Sequence, residues 1–324
     1  MEIAPTTQHS EYGGPARSRR RERTPKADFR FALVDLLPTA LLLTFLLGLL
    51  ASGAPNTAPD LHRLSAAVGR LRFVHAAIFA GIVLFIALVS HPFQISIIRL
   101  LEGYWDVSPI GRWLSTVGTA IHRRRRARLE ALAYQRPTGS YQWKRRRATV
   151  QLQGYPSEAR LLPTMLGNAL RAAEDEAGPR YGLLTMATMP RLYPCLPDRF
   201  AATLSDLRNQ LDIAARFCVS FLIATVISTI LLLRHGGWLA VSLVTMVLAW
   251  VSYRAAVRAA MQYGEGLRVA FDLYRFDLLR TLHLPLPVDH DEEQALNRRL
   301  SAYFAAGIPM RSEYRHASDE PLDA

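Results

Sequence analysis

The chain is predicted to be an all-α membrane protein, with four transmembrane helices in two hairpins and a largely helical cytoplasmic domain. Three observations predict this. Four apolar runs, at residues 31–50, 73–90, 213–233 and 238–253, are each about as long as a bilayer core requires, roughly 17–25 residues. Only Arg234, His235, Gly236 and Gly237 separate the last two runs, so those helices must be antiparallel neighbours. Arginine is concentrated before the first run, after the second and after the fourth, the charge pattern of cytoplasmic flanks.

Composition fits the same class. Over 324 residues the mean hydropathy is only +0.08, because long polar segments dilute the apolar runs. The net charge is +12, and of 39 basic residues only Lys26 and Lys144 are lysine. That bias is the mark of Arg-rich codon usage, and the charge sits where membrane orientation requires it. Nucleic acid is therefore not expected as a partner. Cys195 and Cys218 are the only cysteines; Cys218 falls in the third apolar run, and no disulfide between the two is expected.

Residues 1–30 form a basic N-terminal tail with few large apolar side chains, a composition expected to stay disordered. Arg17, Arg19, Arg20, Arg21, Arg23 and Arg30 hold that end in the cytoplasm. Residues 31–98 make the first hairpin. The first run could alternatively be a cleaved signal peptide, with Ser52, Gly53 and Ala54 at the cleavage site. The long charged leader and long apolar run favour an uncleaved span. Between the runs, Asp60 is placed to cap a short helix carrying Leu61, Leu64, Val68 and Leu71 at helical spacing, a helix expected to lie on the outer surface. His91-Pro92 is expected to bend or end the second span.

Residues 99–212 form the cytoplasmic domain. Its first half carries two basic runs around a turn or joint at Pro137-Thr138-Gly139-Ser140. In its second half Thr164 is placed to cap a helix to about Ala177, whose acidic end, Glu174-Asp175-Glu176, opposes the helix dipole. Compensating cations are expected there, from Arg171, Arg180 or the basic runs. Prolines 190, 194 and 197 exclude a long helix before about Asp198. Residues 213–254 make the second hairpin and 255–310 the C-terminal cytoplasmic helices. Asp289 with Glu292 resembles a capping box, and Gly307 closes the last helix. Residues 311–324 are a loose tail.

Two residue sets are singled out. Arg123, Arg124, Arg125, Arg126, Lys144, Arg145, Arg146 and Arg147 are candidates for contact with anionic lipid headgroups, worth about 1 kcal/mol per charge near the surface. Ser220, Ala224 and Ser228, with Ser242, Thr245 and Ala249, form small-residue stripes that let helices pack closely. Packing is preferred over a polar pore lining. No nucleotide-binding, nucleophile-elbow or zinc-protease motif occurs, so no catalytic residue, cofactor or metal is expected. The cluster Asp289–Glu293 fits a helix start better than a metal site. No ionisable residue sits at mid-membrane in any run, which weighs against a proton relay or pump.

The strings LLPTMLGNALRAAEDEAGPRYG (residues 161–182), PRLYPCLPDRF, LRNQLDIAARF and AFDLYRFDLLRTLHLPLP resemble those of uncharacterised integral membrane proteins, chiefly from actinobacteria. The likeness covers roughly residues 160–290. It implies class and location but no activity and no catalytic residues. The expectation is an inner-membrane, multi-pass, non-enzymatic interaction or scaffold protein with both termini cytoplasmic. Its partners would be the bilayer, anionic headgroups and a further copy or another membrane protein. An oligomeric channel or transporter subunit is the alternative.

Overall fold

The computed structural model describes residues 26–90, 94–106, 108–134 and 142–310. The N-terminal tail, the side chains of Arg30 and Asp35, the His91-Pro92 break, the 137–140 joint and the tail from Arg311 lie outside the described residues. All regular structure among the described residues is helical. The elements are α1 (Lys26–Ala51), α2 (Leu61–Gly69), α3 (Phe73–Ser90), α4 (Gln94–Glu102), α5 (Pro109–Tyr134), α6 (Gln142–Leu152), α7 (Met165–Ala177), α8 (Thr185–Leu192), α9 (Asp198–Leu232), α10 (Leu239–Thr281) and α11 (His290–Ala306).

Local chemistry sets several of these boundaries. The Asp60 carboxylate accepts from the His62 N–H at 2.8 Å and starts α2. Thr164 Oγ1 accepts from the Gly167 N–H at 3.0 Å and starts α7. Asp289 accepts from the Glu292 N–H at 2.8 Å, and Glu292 reaches back to the Val288 N–H at 2.8 Å. The first bond satisfies a free donor of α11, and the second ties the residue before the cap to the first turn. Gly307, at φ +66°, ends α11 in the left-handed conformation that glycine adopts without steric cost.

The spine is the antiparallel pair α9 and α10, of 35 and 43 residues. At 1.5 Å per residue these are about 52 and 64 Å long, against roughly 30 Å of hydrocarbon. Both helices therefore run on, unbroken, well past any bilayer. The expected boundaries at 212/213 and 254/255 fall inside these rods, where the surface turns from apolar to polar without a change of backbone.

Burial in the apolar halves is inverted relative to a water-soluble helix pair. Small residues are inside: Ala224, Ser228, Ser242, Thr245 and Ala249 are buried between the two helices. Large residues are outside: Ile230, Leu243, Val244 and Met246 are about 60% exposed. A water-soluble protein does not expose so continuous an apolar surface, and small residues at the seam are what helix pairing in lipid selects. By length and composition α9 and α10 each suffice to cross a membrane. A third span results if α2 and α3, turned 103° from one another, count together. The described apolar part of α1, Leu36–Ala51, is shorter. The described helices thus give two to three candidate spans where the sequence predicts four.

In the polar halves, α7 packs on α10, and α4 fits between α7 and α9. Here Ile98, Leu101, Leu166, Leu211, Ala256 and Ala260 form one core. Further along, Leu183, Leu192, Leu267, Phe271, Leu278 and Leu300 form a second, gathering α8 and α11 against the end of α10. The buried Asn168 fixes the turn into α7. Its Oδ1 accepts from the Leu162 N–H at 2.8 Å, and its Nδ2 donates to the Leu162 and Thr164 carbonyls.

The acidic end of α7 has Arg171 beside it, as expected, and finds two further cations. Arg160 pairs with Asp175 and lies 3.9 Å from Glu174, and Arg268 of α10 pairs with Glu176. Arg171 hydrogen-bonds the Tyr104 hydroxyl at 2.6 Å instead. Its charge nonetheless acts on Glu174, ahead of that of Arg160.

Candidate functional site

The two basic runs lie on a helical hairpin. Arg123–Arg126 occupy the second half of α5 and Lys144–Arg147 the first half of α6. Leu129 of α5, Ala148 of α6 and Tyr155 beyond it form the small core that joins them. The arginines of both runs are solvent-exposed, except that Arg126 is half-buried. Arg123 pairs with Glu158 at 3.4 Å and Arg126 with Glu130 at 2.7 Å. The first pair is solvent-exposed and of small energetic weight; the second is partly buried. Lys144 sits over the exposed Trp143 ring, 5.6 Å from its centre.

A feature passed over in the sequence lies just before the first run. Ile110, Trp113, Leu114, Val117 and Ile121 are all exposed. Their spacing of three and four puts them along one stripe of α5. The helix is thus apolar along a stripe in its first half and cationic in its second. Apolar burial and cationic attraction are both used by helices that associate with a membrane surface. The signal was present in the sequence but was masked by the arginine run that follows it.

The small-residue stripes come together within the chain. Ser228 and Ser242 share a hydrogen bond at 2.9 Å, and Thr225 donates to Thr245 at 2.9 Å. Ala224 and Ala249 are buried in the same seam, and Ser220 is half-buried. The polar atoms at this depth are therefore turned toward the neighbouring helix.

Three cavities surround the junction of the spine with α4–α7. The first is an apolar groove of about 1070 Å³ between α4–α5 and α9–α10, with Leu101, Leu114, Leu222, Val226 and Met246 among its walls. The second, of about 480 Å³, lies between α5–α6 and α10 and carries Arg125, Arg254 and Arg258 with His122 and Tyr155. Thr164, Trp250 and Tyr253 line both. His122 Nδ1 and the Tyr155 hydroxyl are 3.0 Å apart. Burial, and then the charge of Arg125, holds His122 below the usual imidazole range. The ring is neutral at pH 7, and the guanidinium groups supply the charge of this pocket. Tyr253 has a structural duty as well: its hydroxyl accepts from the Met165 and Leu166 N–H groups at 3.1 and 3.2 Å, capping α7 from a residue almost ninety positions away.

The third cavity, about 750 Å³, lies on the other side of α4. It carries Glu102 and Glu174 with Arg99, Arg208 and Tyr263. Burial pushes the Glu102 carboxyl up, and the Glu174 charge adds to this. Burial also pushes Glu174 up, against the pull of Arg171 and Arg160. Both groups hold a proton more tightly in the folded chain, so their ionisation opposes folding. That penalty is absent below the ordinary carboxyl value of 4.5 and grows as pH rises through it. Glu102→Gln should accordingly raise the thermal midpoint at about pH 7.5 and leave it unchanged at about pH 4, as read by scanning fluorimetry in detergent. Among the described residues no three His, Cys, Asp or Glu side chains gather as a metal site would require. The Asp289–Glu293 cluster is occupied with capping α11 and with an ion pair from Glu293 to Arg275.

No protein family, curated protein or solved structure matches this chain, so its own geometry must carry the functional reading.

Proposed function

We propose that the chain is an inner-membrane protein of four spans in two hairpins. Both termini and the helical domain are cytoplasmic, and the protein serves as a non-enzymatic interaction or scaffold protein whose basic face rests on anionic lipid. The observation that carries this reading is the composition of α5, with its exposed apolar stripe running directly into a solvent-exposed arginine run. Such a helix is stabilised at a headgroup layer by apolar burial and by charge together. The continuation of α9 and α10 beyond the hydrocarbon supports a water-exposed domain held rigidly beside that layer. The exposed apolar surface of α1 and α3 supports counting each as a span. It also offers a face to a second copy or to another membrane protein. An oligomeric channel is the lesser reading, because Ser228, Ser242, Thr225 and Thr245 are engaged with one another and do not leave a free polar stripe.

The test is hydrogen–deuterium exchange on the full chain in nanodiscs. Amides of α5 and α6 should exchange more slowly in anionic than in zwitterionic discs, and the difference should shrink between about 50 and 500 mM salt as screening sets in. Equal exchange in the two lipids would remove the membrane-surface role of this hairpin.

A further inference from the structure

The apolar groove and the arginine pocket adjoin. Thr164, Trp250 and Tyr253 line both, so the two meet along these residues. Along α10 the charged lining residues come after the apolar and aromatic ones of the groove, although Val257 and Met261 also line the pocket. Met246 and Ala249 line the groove, Trp250 and Tyr253 stand at the border, and Arg254 and Arg258 line the pocket. On a helix that crosses a bilayer this is also an order of depth: hydrocarbon, then the aromatic belt, then the headgroup layer. Arg125 reaches the same pocket from α5. Among the described residues no carboxylate forms an ion pair with Arg125, Arg254 or Arg258. Three arginines lining one pocket without an acidic partner give it a positive potential that favours an anion. The groove reaches the upper end of the usual size of ligand sites, roughly 300–1,000 Å³, and its walls are almost wholly apolar. The occupant must therefore be amphipathic, with a long apolar part and an anionic head.

We propose that this composite site holds one anionic diacyl phospholipid of the adjoining leaflet, its chains along Leu222, Val226 and Met246 and its phosphate among Arg125, Arg254 and Arg258. The inference deepens the reading of the basic face given above and rests on its placement of α5 beside the headgroups. It differs in kind from adsorption. The exposed arginines of α5 and α6 attract a charged surface, whereas this site selects a single molecule by shape and charge together. Basic pockets between spanning helices are suited to that task. The bound lipid would lie against both α5 and α10, and so tie the interfacial helix to the spine.

Native mass spectrometry of the full chain, released from detergent after incubation with phosphatidylglycerol or phosphatidylcholine, tests this. The wild type should retain one phosphatidylglycerol and little phosphatidylcholine. Each of Arg125→Gln, Arg254→Gln and Arg258→Gln should lower the retained fraction by about tenfold, the worth of one charge-assisted hydrogen bond. Val226→Trp, which fills the groove from its exposed side, should displace the lipid while every arginine remains. An unchanged elution profile for that variant separates displacement from misfolding. Arg145→Gln/Arg146→Gln/Arg147→Gln should weaken the lipid-dependent protection of α6 in nanodiscs and leave the retained lipid in place. Equal retention of the two lipids, or undiminished retention in the Arg254→Gln and Val226→Trp variants, would overturn the site. If α5–α6 protection still differed between discs in that case, the surface reading would stand without it.

Discussion

Arg275→Met is expected to destabilise the protein by about 3–5 kcal/mol, the usual cost of removing one member of a buried ion pair. Arg275 Nε lies 2.7 Å from the Glu293 carboxylate, and that carboxylate is only 6% exposed. Without the guanidinium, Glu293 would be left charged and nearly dry. Arg275 also stacks on Tyr181 and Phe276, at 4.1 and 4.3 Å from the ring centres, and bonds the Asp272 carbonyl. Tyr181 in turn donates to the Asp272 carboxylate at 2.6 Å, and its carbonyl accepts from the buried Asn297 at 2.9 Å. The residue therefore joins α10 to α11 through one connected network. The double variant Arg275→Met/Glu293→Leu should recover much of the loss, because both charges are then gone. Chemical denaturation in detergent, followed by circular dichroism, reads both values. Near-equal stability of the single variant and the wild type would show that water or His290, whose Nδ1 lies 3.7 Å from the same carboxylate, compensates Glu293 without Arg275.

Gly167→Ala is expected to cost about 3 kcal/mol, at the upper end of overpacking penalties. A Cβ on Gly167 would stand 2.2 Å from the Glu102 carbonyl oxygen and 2.9 Å from Leu162. The first contact is with backbone, which cannot rotate away. The same carbonyl accepts from Thr164 Oγ1 at 2.8 Å, so α4 is latched onto the start of α7 at this point. Gly103 completes the latch: its φ of +98° and the approach of Pro163 both require glycine. Pushing α4 away from α7 should open the junction under the apolar groove as well as lower the midpoint. Faster amide exchange in α4 and in the first turn of α7, with α9 and α10 unchanged, is the expected pattern. Uniform behaviour across the molecule would place the strain elsewhere.

Much of the fold was legible because its determinants are local. Asp60, Thr164 and Asp289 cap the helices that their spacing to the next apolar residues predicts, and Gly307 stops α11. The Arg234–Gly237 turn allows nothing but a hairpin. The apolar stretches within α9 and α10 are visible as composition, and the stripes of Ser, Thr and Ala mark the seam between them. What escaped depends on distance along the chain. Nothing near Tyr253 announces that its hydroxyl serves the first N–H groups of α7. Nothing near Glu176 announces Arg268, which the approach of α7 to α10 at Gly264 brings into reach. The arginine pocket is assembled from Arg125 and from Arg254 and Arg258, and only the first belongs to a run that attracts notice. The stripe on α5 is hard to see for another reason: five apolar residues within twelve positions, next to a run of arginines, give a weak local signal beside a strong one.

The central claim is that the chain crosses the membrane an even number of times, in two hairpins, with both ends inside. Single cysteines placed in a Cys195→Ser/Cys218→Ala background test it directly, probed in intact cells with a membrane-impermeant maleimide. Gly236 is open to such a substitution, since nothing approaches its Cβ position. Ser65→Cys and Gly236→Cys should label in intact cells, and Ser18→Cys and Ser318→Cys only after permeabilisation. Labelling of one terminus but not the other from outside, or of Ser65→Cys and Gly236→Cys on opposite faces, would contradict the two-hairpin arrangement.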